Sequence, residues 1–349
     1  MPSAGSGPVK VETMTGRAWD GVRLHIVTGK GGTGKTTVAA ALATAYASSG
    51  KHVLIAEVEE RQGISQAFDV PQLGDTEIQV ARGQHGGDVY GLTVDPKAAL
   101  MEYLQMFYKL GMAGGLLERF GVVDFATTIA PGLRDVLLIG KVYEAVRRRE
   151  GRRGHRGERP YDVVVLDAPP TGRIGRFLGV NHEIAGLAKV GPIKSQADSI
   201  TALLQSKQTA VHIVSLLEEM PVQETVDAVR ELTELRLPVG AIVINQEREP
   251  LLSPEARALV RDDGFDTGPL EKDLRAVDLR VGPTLVGGLV QAGRDLDERL
   301  DMQDREREQL AALNRPTYHL PFLHEGLDAG GLRELATALD DQMTAGATA

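Results

Sequence analysis

The sequence predicts an α/β fold: a mostly parallel central sheet covered by helices, with an inserted helical subdomain. Three observations carry that prediction. Short β-branched runs recur about one helix apart along the chain, the pattern of strands joined by helical crossovers. Several runs are apolar at successive positions, as Val163, Val164, Val165 and Leu166 are, and a strand buried on both faces needs that pattern. A glycine-rich turn, Gly29 to Thr37, connects the first run to a strong helix former, Val38 to Ala47.

Composition narrows the function classes. The 349 residues are 42% hydrophobic and 25% charged, an ordinary globular balance, and nowhere do about 18 apolar residues run together as a membrane-spanning helix requires. There is no cysteine, which excludes disulfides, thiolate zinc sites, iron–sulfur clusters and a thiol nucleophile. With 39 Lys+Arg against 48 Asp+Glu the formal charge is −9, which argues against a broad duplex-binding face. No nucleic-acid partner is expected.

In chain order, residues 1–20 are small and polar and lack the apolar core of a secretory signal, so they read as a disordered leader of a cytoplasmic protein. Strands are expected at Val22–Thr28, His52–Val58, Val89–Val94, Tyr161–Asp167, Ala210–Leu216, Val239–Asn245 and Thr317–Leu320. Residues 96–149 carry large apolar side chains at helical spacing, and 174–208 are similar but more polar; both read as helical insertions. Opposite charges three or four residues apart make 284–312 a solvated helix. Residues 21–345 are thus expected to form a single domain.

The turn GKGGTGKTT follows a strand and opens a helix, which is the order a phosphate-binding P-loop requires. Gly29, Gly31, Gly32 and Gly34 lack a Cβ, so successive loop amides, that of Thr33 included, can curl around a β-phosphate at the positive end of the helix. Lys35 is placed to neutralise the β- and γ-phosphates, Thr36 to coordinate Mg²⁺, and Thr37 to reach the α-phosphate. The run Tyr161–Asp167 ends in an acid, and Asp167 at the carboxyl end of a neighbouring strand can hold the Mg²⁺ water shell. Pro169, Pro170 and Gly172 force a turn behind it, the kind of loop that switches with a γ-phosphate.

The stretch DAPPTGRIGRFL after that strand resembles the switch of the arsenical pump-driving ATPase family, which includes the guided-entry ATPases for tail-anchored membrane proteins. The similarity spans about residues 20–340 and includes SLLEEMPVQET (215–225) and Ala130-Pro131-Gly132. It implies a P-loop ATPase that uses ATP and Mg²⁺. Lys30, directly after the first glycine, marks the deviant form of the loop; the resemblance implies that it reaches a nucleotide held by a facing subunit, hence a homodimer or a heterodimer with a related ATPase subunit. Asn245, in IVINQ, is implied to pair with adenine, and LPFLHEG (320–326), with Pro321, to close over the base. A membrane-protein client or a peripheral membrane partner follows from the same resemblance.

The chain also departs from that family. The family's water-orienting aspartate has no counterpart aspartate here; Glu57 and Glu59 bracket Val58, either carboxylate can polarise water, and Glu59 is preferred because it lies beyond the strand in the loop. If neither acts, the chain is a nucleotide-sensing partner subunit with little turnover. A positioning-type ATPase is a further alternative, although no terminal amphipathic helix is apparent. Arg173 stands where the family has a histidine, and Arg134–Asp135 where it has acids. Without cysteine, neither arsenite activation through thiolates nor a C-x-x-C zinc clasp is available. The methionine-rich stretch MEYLQMFYKLGMAGGLLERF is either a client groove or the insertion's own core, and the arginine cluster 146–160 either a contact for anionic lipid or RNA or a solvated connector.

Overall fold

A computed structural model describes residues 18–59, 61–96, 98–100, 102, 131–148, 160–179, 192–262 and 264–345. Its centre is an eight-stranded sheet. In chain order the strands are β1 (Leu24–Gly29), β2 (His52–Glu57), β3 (Ile78–Arg82), β4 (Asp88–Thr93), β5 (Val163–Asp167), β6 (Thr209–Ser215), β7 (Val239–Glu247) and β8 (Thr317–Pro321). They lie side by side as β3-β4-β2-β5-β1-β6-β7-β8. Every neighbouring pair is parallel except β3 and β4.

The seven expected strands are all present, each within two residues of its expected bounds. The eighth, β3, was not among them. As an antiparallel edge strand it buries none of its five residues, so the sequence needed no apolar run there.

Side chains alternate between two layers. Val163 and Val165 join Val27, Val53, Ile55 and Val243 on one face, under α1 (Lys35–Ser48) and α10 (Ala329–Ala345). Val164 and Leu166 join Leu24, Ile26, Leu54 and Ile213 on the other. That second face is covered by α3 (Pro131–Arg147), α4 (Thr171–Leu178), α5 (Pro192–Leu204) and α6 (Glu219–Glu234). The alanine-rich α1 buries side chains around its whole circumference because methyl groups let it lie close to both the sheet and α10.

The remaining described helices are α2 (Gly63–Ala67), α7 (Pro254–Arg261), α8 (Gly268–Ala276) and α9 (Pro283–Ala311). The last coincides with the expected solvated helix and buries only Val286, Asp297, Glu306 and Leu310. Within 96–149, helix α3 packs Val136, Leu138, Ile139 and Val142 into the same layer as α4 and α5. Residues 1–17 of the leader, 103–130 of the methionine-rich region, 149–159 of the arginine cluster and 180–191 lie outside the described residues. Among the described residues no helix is long and apolar enough to cross a membrane.

The register fixes where chemistry can happen. Val27 of β1 and Glu57 of β2 both pair with Asp167, and Gly29 pairs with Val214, so the carboxyl ends of β2, β5, β1 and β6 open at one edge. The chain leaves β1 towards β2 on one side and reaches β6 on the other, and an open α/β sheet binds ligands at such a switch point.

Candidate functional site

The turn between β1 and α1 is held by close approaches that only particular residues allow. A Cβ on Gly29 would stand 2.3 Å from the Val214 carbonyl oxygen, so β1 can leave the sheet beside β6 only as glycine. Gly34 has φ +87°, and a Cβ there would lie 2.3 Å from Asn245 Nδ2. That amide donates to the Thr33 carbonyl at 2.9 Å, and the Thr33 hydroxyl donates to the Lys30 carbonyl at 2.9 Å. Gly31 and Gly32 are exposed at the crest of the loop. No side chain caps the start of α1, whose first amides and positive dipole end therefore face the cradle.

Lys35, Thr36 and Thr37 form the first turn of α1. Lys35 is buried, and burial draws its ammonium below the ordinary lysine range while the carboxylates of Asp167, Glu59 and Glu224 oppose the shift. The Thr36 hydroxyl donates to Asp167 Oδ2 at 2.5 Å. Burial pushes the Asp167 carboxyl up to about 7; the hydrogen bond from Thr36 opposes that, and the neighbouring charge of Glu57 adds to it. Its Oδ1 is buried with no hydrogen-bond partner. A hydroxyl and a carboxylate with a spare buried oxygen, beside an anion cradle, are hard oxygen donors, and this set fits Mg²⁺ completed by phosphate and water. Thr37 is half-buried beside them.

Two loops converge on this turn. After β2, the buried Glu57 accepts from the amides of Arg61 at 2.7 Å and Ile64 at 3.3 Å, so its carboxylate folds the loop and starts α2. Gly63 then approaches Thr36 so closely that a Cβ would come within 2.9 Å of its methyl group. Glu59 lies between, paired with Arg173 at 3.2 Å and Arg61 at 3.6 Å, and its charge acts on both Lys35 and Asp167. After β5, Thr28 donates to the Pro169 carbonyl at 2.7 Å and Ala168 to Val27 at 2.9 Å, which ties the loop that follows β5 to β1. Lys30 forms an ion pair with Glu224 of its own chain, and the Thr171 hydroxyl donates to the second Glu224 oxygen at 2.7 Å.

A model of the anion-transporting ATPase family matches residues 22–200, which contain the cradle, Glu59 and Asp167. The chain belongs to that family. It is 45% identical over 323 residues to ATPase BagA of Mycobacterium tuberculosis, covering 92% of this chain and 94% of that protein. It is 26% identical over 260 residues to ATPase GET3 of Zygosaccharomyces rouxii, covering 63% of this chain and 71% of that one. ATPase ASNA1 homolog 1 of Paramecium tetraurelia is 25% identical over 259 residues, covering 63% of this chain and 73% of that protein.

Beyond the loop, β7 and β8 bring two further sequence-predicted residues to the same edge of the sheet. Asn245 is buried at the end of β7, and Pro321 ends the neighbouring β8, in register with Glu247. Phe322 donates its amide to the Glu247 carbonyl at 2.8 Å, and the Arg248 guanidinium stacks 3.7 Å from the Phe322 ring centre. The structure thus gathers Gly29 through Thr37, Glu59 and Asp167 around one turn, with Asn245 reaching it through the Thr33 carbonyl and Pro321 on the adjacent strand. Sequence reasoning missed Glu224. It stands 194 residues from Lys30 and 53 from Thr171, and no local spacing announces a contact of that range.

Proposed function

We propose that the chain binds Mg·ATP in this cradle and hydrolyses it as one subunit of a cytoplasmic dimer, homomeric or formed with a related ATPase subunit. The observation that carries this reading is the Thr36–Asp167 pair with its unpartnered buried carboxylate oxygen, at the mouth of an uncapped helix that begins with Lys35. When bound, Mg²⁺ would supply charge neutralisation to the phosphates. Thr36 and Asp167 hold it, and Lys35 together with the loop amides of 29–37 cradles the phosphates. Asn245 and the 320–326 loop with Pro321 receive the adenine. Glu59 polarises the attacking water and accepts its proton as the bond between the γ-phosphorus and the ADP oxygen breaks. Lys30, delivered to a facing subunit's nucleotide, neutralises charge on the transferred phosphoryl group. On the resemblance to guided-entry ATPases, the resulting opening and closing handles a hydrophobic segment of a membrane protein.

A second reading, a nucleotide sensor with slow turnover, is favoured by one feature. Glu59 is paired with two guanidinium groups, and those contacts must be given up before its oxygens can orient a water. Single-turnover phosphate release separates the two. The ATPase reading expects calorimetric uptake of MgATP that Lys35→Ala abolishes, and release that Glu59→Gln slows by roughly 100-fold or more while affinity is kept. Uptake without release, with every related subunit supplied, leaves the sensor. Sedimentation with a non-hydrolysable analogue is expected to give two subunits.

A further inference from the structure

Glu224 sits in the second turn of α6, and its carboxylate serves two donors from different parts of the site. One oxygen is paired with the Lys30 ammonium on the phosphate loop. The other accepts from Thr171, the first residue of α4, at 2.7 Å. Helix α6 packs against α4: a Cβ on Gly175 of α4 would stand 1.9 Å from Oε1 of Glu231 of α6. Glu224 therefore joins the start of α4 to a residue of the cradle.

The pair is built to exchange. The Lys30 and Glu224 side chains are 30% and 32% exposed, so water screens them and their attraction is modest. Partial burial, the largest influence, tends to raise the Glu224 carboxyl, but the hydrogen bonds from Lys30 and Thr171 outweigh it and hold the group below the ordinary glutamate range. It is ionised at neutral pH. The triphosphate that Lys30 reaches, held by a facing subunit, carries several negative charges against this single one, and both draw on the same ammonium.

Resting on the reading of the cradle as an ATP site, we propose that Glu224 is a positioning residue that couples Lys30 to Thr171. Its carboxylate and the nucleotide's phosphates compete for the Lys30 ammonium, and the outcome is transmitted through the Thr171 hydroxyl to α4. The coupling is reciprocal: whatever Glu224 contributes to holding Lys30 is subtracted from ATP affinity.

The test is a double-mutant cycle on the full-length chain, read by MgATP calorimetry and by hydrogen exchange. Glu224→Gln is expected to tighten MgATP binding about threefold when Lys30 is present, the size of a partly exposed ion pair, and to change it by less than about 1.5-fold in a Lys30→Ala background. Equal tightening in both backgrounds would reveal a general charge effect and overturn the proposal, as would any weakening. In nucleotide-free protein, Lys30→Ala is expected to alter amide exchange at 171–175 when Glu224 is present and to be silent in Glu224→Ala. No response of α4 to Lys30→Ala overturns the proposal independently of nucleotide. A chain that takes up no MgATP refutes the reading of the cradle instead, and the exchange measurement alone then decides the contact.

Discussion

Gly34 carries two constraints at once, a left-handed φ of +87° and a neighbour, Asn245 Nδ2, where a Cβ would go. Alanine there must strain the backbone and push the Asn245 amide off the Thr33 carbonyl. Gly34→Ala is therefore expected to destabilise the chain by roughly 1–3 kcal/mol in urea titration and to abolish MgATP uptake. Gly31→Ala is the control, because an added Cβ at Gly31 meets nothing within 4 Å; its stability should stay within about 0.5 kcal/mol of the parent. Equal losses at both positions would mean that the loop is stiff throughout rather than pinned at Asn245. The two glutamates after β2 divide along similar lines. Glu57 is committed to the amides of Arg61 and Ile64, whereas Glu59 holds only side-chain partners that it can exchange.

Strands β1 and β6 meet through an unusual pair. His25 and His212 are fully buried, with stacked rings and a contact of 2.9 Å between Nδ1 and Nε2. Ala241 donates its amide to His212 Nδ1, so His212 carries its proton on Nε2 and donates to His25. Burial holds His212 down to about 4 and His25 well below the usual imidazole range, where the charge of His212 lowers it further. Both rings are thus neutral in the fold but protonate near 6.5 in the unfolded chain. Their stabilisation is complete above that pH and drains away as pH falls towards 4. Between pH 7 and pH 5 the loss from His212 is expected to be about 2 kcal/mol in urea titrations, with His25 adding to it in the same direction, and His25→Gln/His212→Gln should flatten the dependence. A drop of the same size in the double variant would assign the titration elsewhere. Elements such as β1, β5 and β6 were legible in the sequence because burial on both faces writes a continuous apolar run, and the cradle was legible because strand, glycines and helix follow one another directly. The edge strand β3, pairing on one side only, writes no such run. The contacts of Glu224 with Lys30 and Thr171 depend on how the sheet order folds distant segments together, which periodicity does not encode.

Across the molecule, stability is not evenly distributed. The sheet and its two helical layers bury continuous apolar clusters, but the connection from β7 to β8 is of another kind: α7 and α8 bury no residue, and Leu251, Leu259, Val277, Leu279 and Leu289 are exposed along it. Ion pairs fasten α7 to α9. Arg257 reaches Asp297 at 2.7 Å, Asp301 at 2.6 Å and Asp304 at 3.1 Å, while Arg261 reaches Asp297 at 2.5 Å and Asp301 at 2.7 Å. Asp297, its side chain only 6% exposed, is shared by both arginines and is the keystone of the cluster. The alternating charges of 284–312 announced a solvated helix, but nothing in them announced partners on α7. Regions with few buried apolar contacts open before the core does, so this arm should exchange its amides without the sheet. Asp297→Asn is expected to speed exchange at 254–261 roughly tenfold, with β1 and β5 unchanged, and about 0.5 M salt should move the parent protein in the same direction by screening the exposed members of the cluster. If the β1 and β5 amides accelerate in step with α7, the arm and the sheet open as one unit, and motions of the α7–α9 arm would then be coupled directly to the strand ends that frame the cradle.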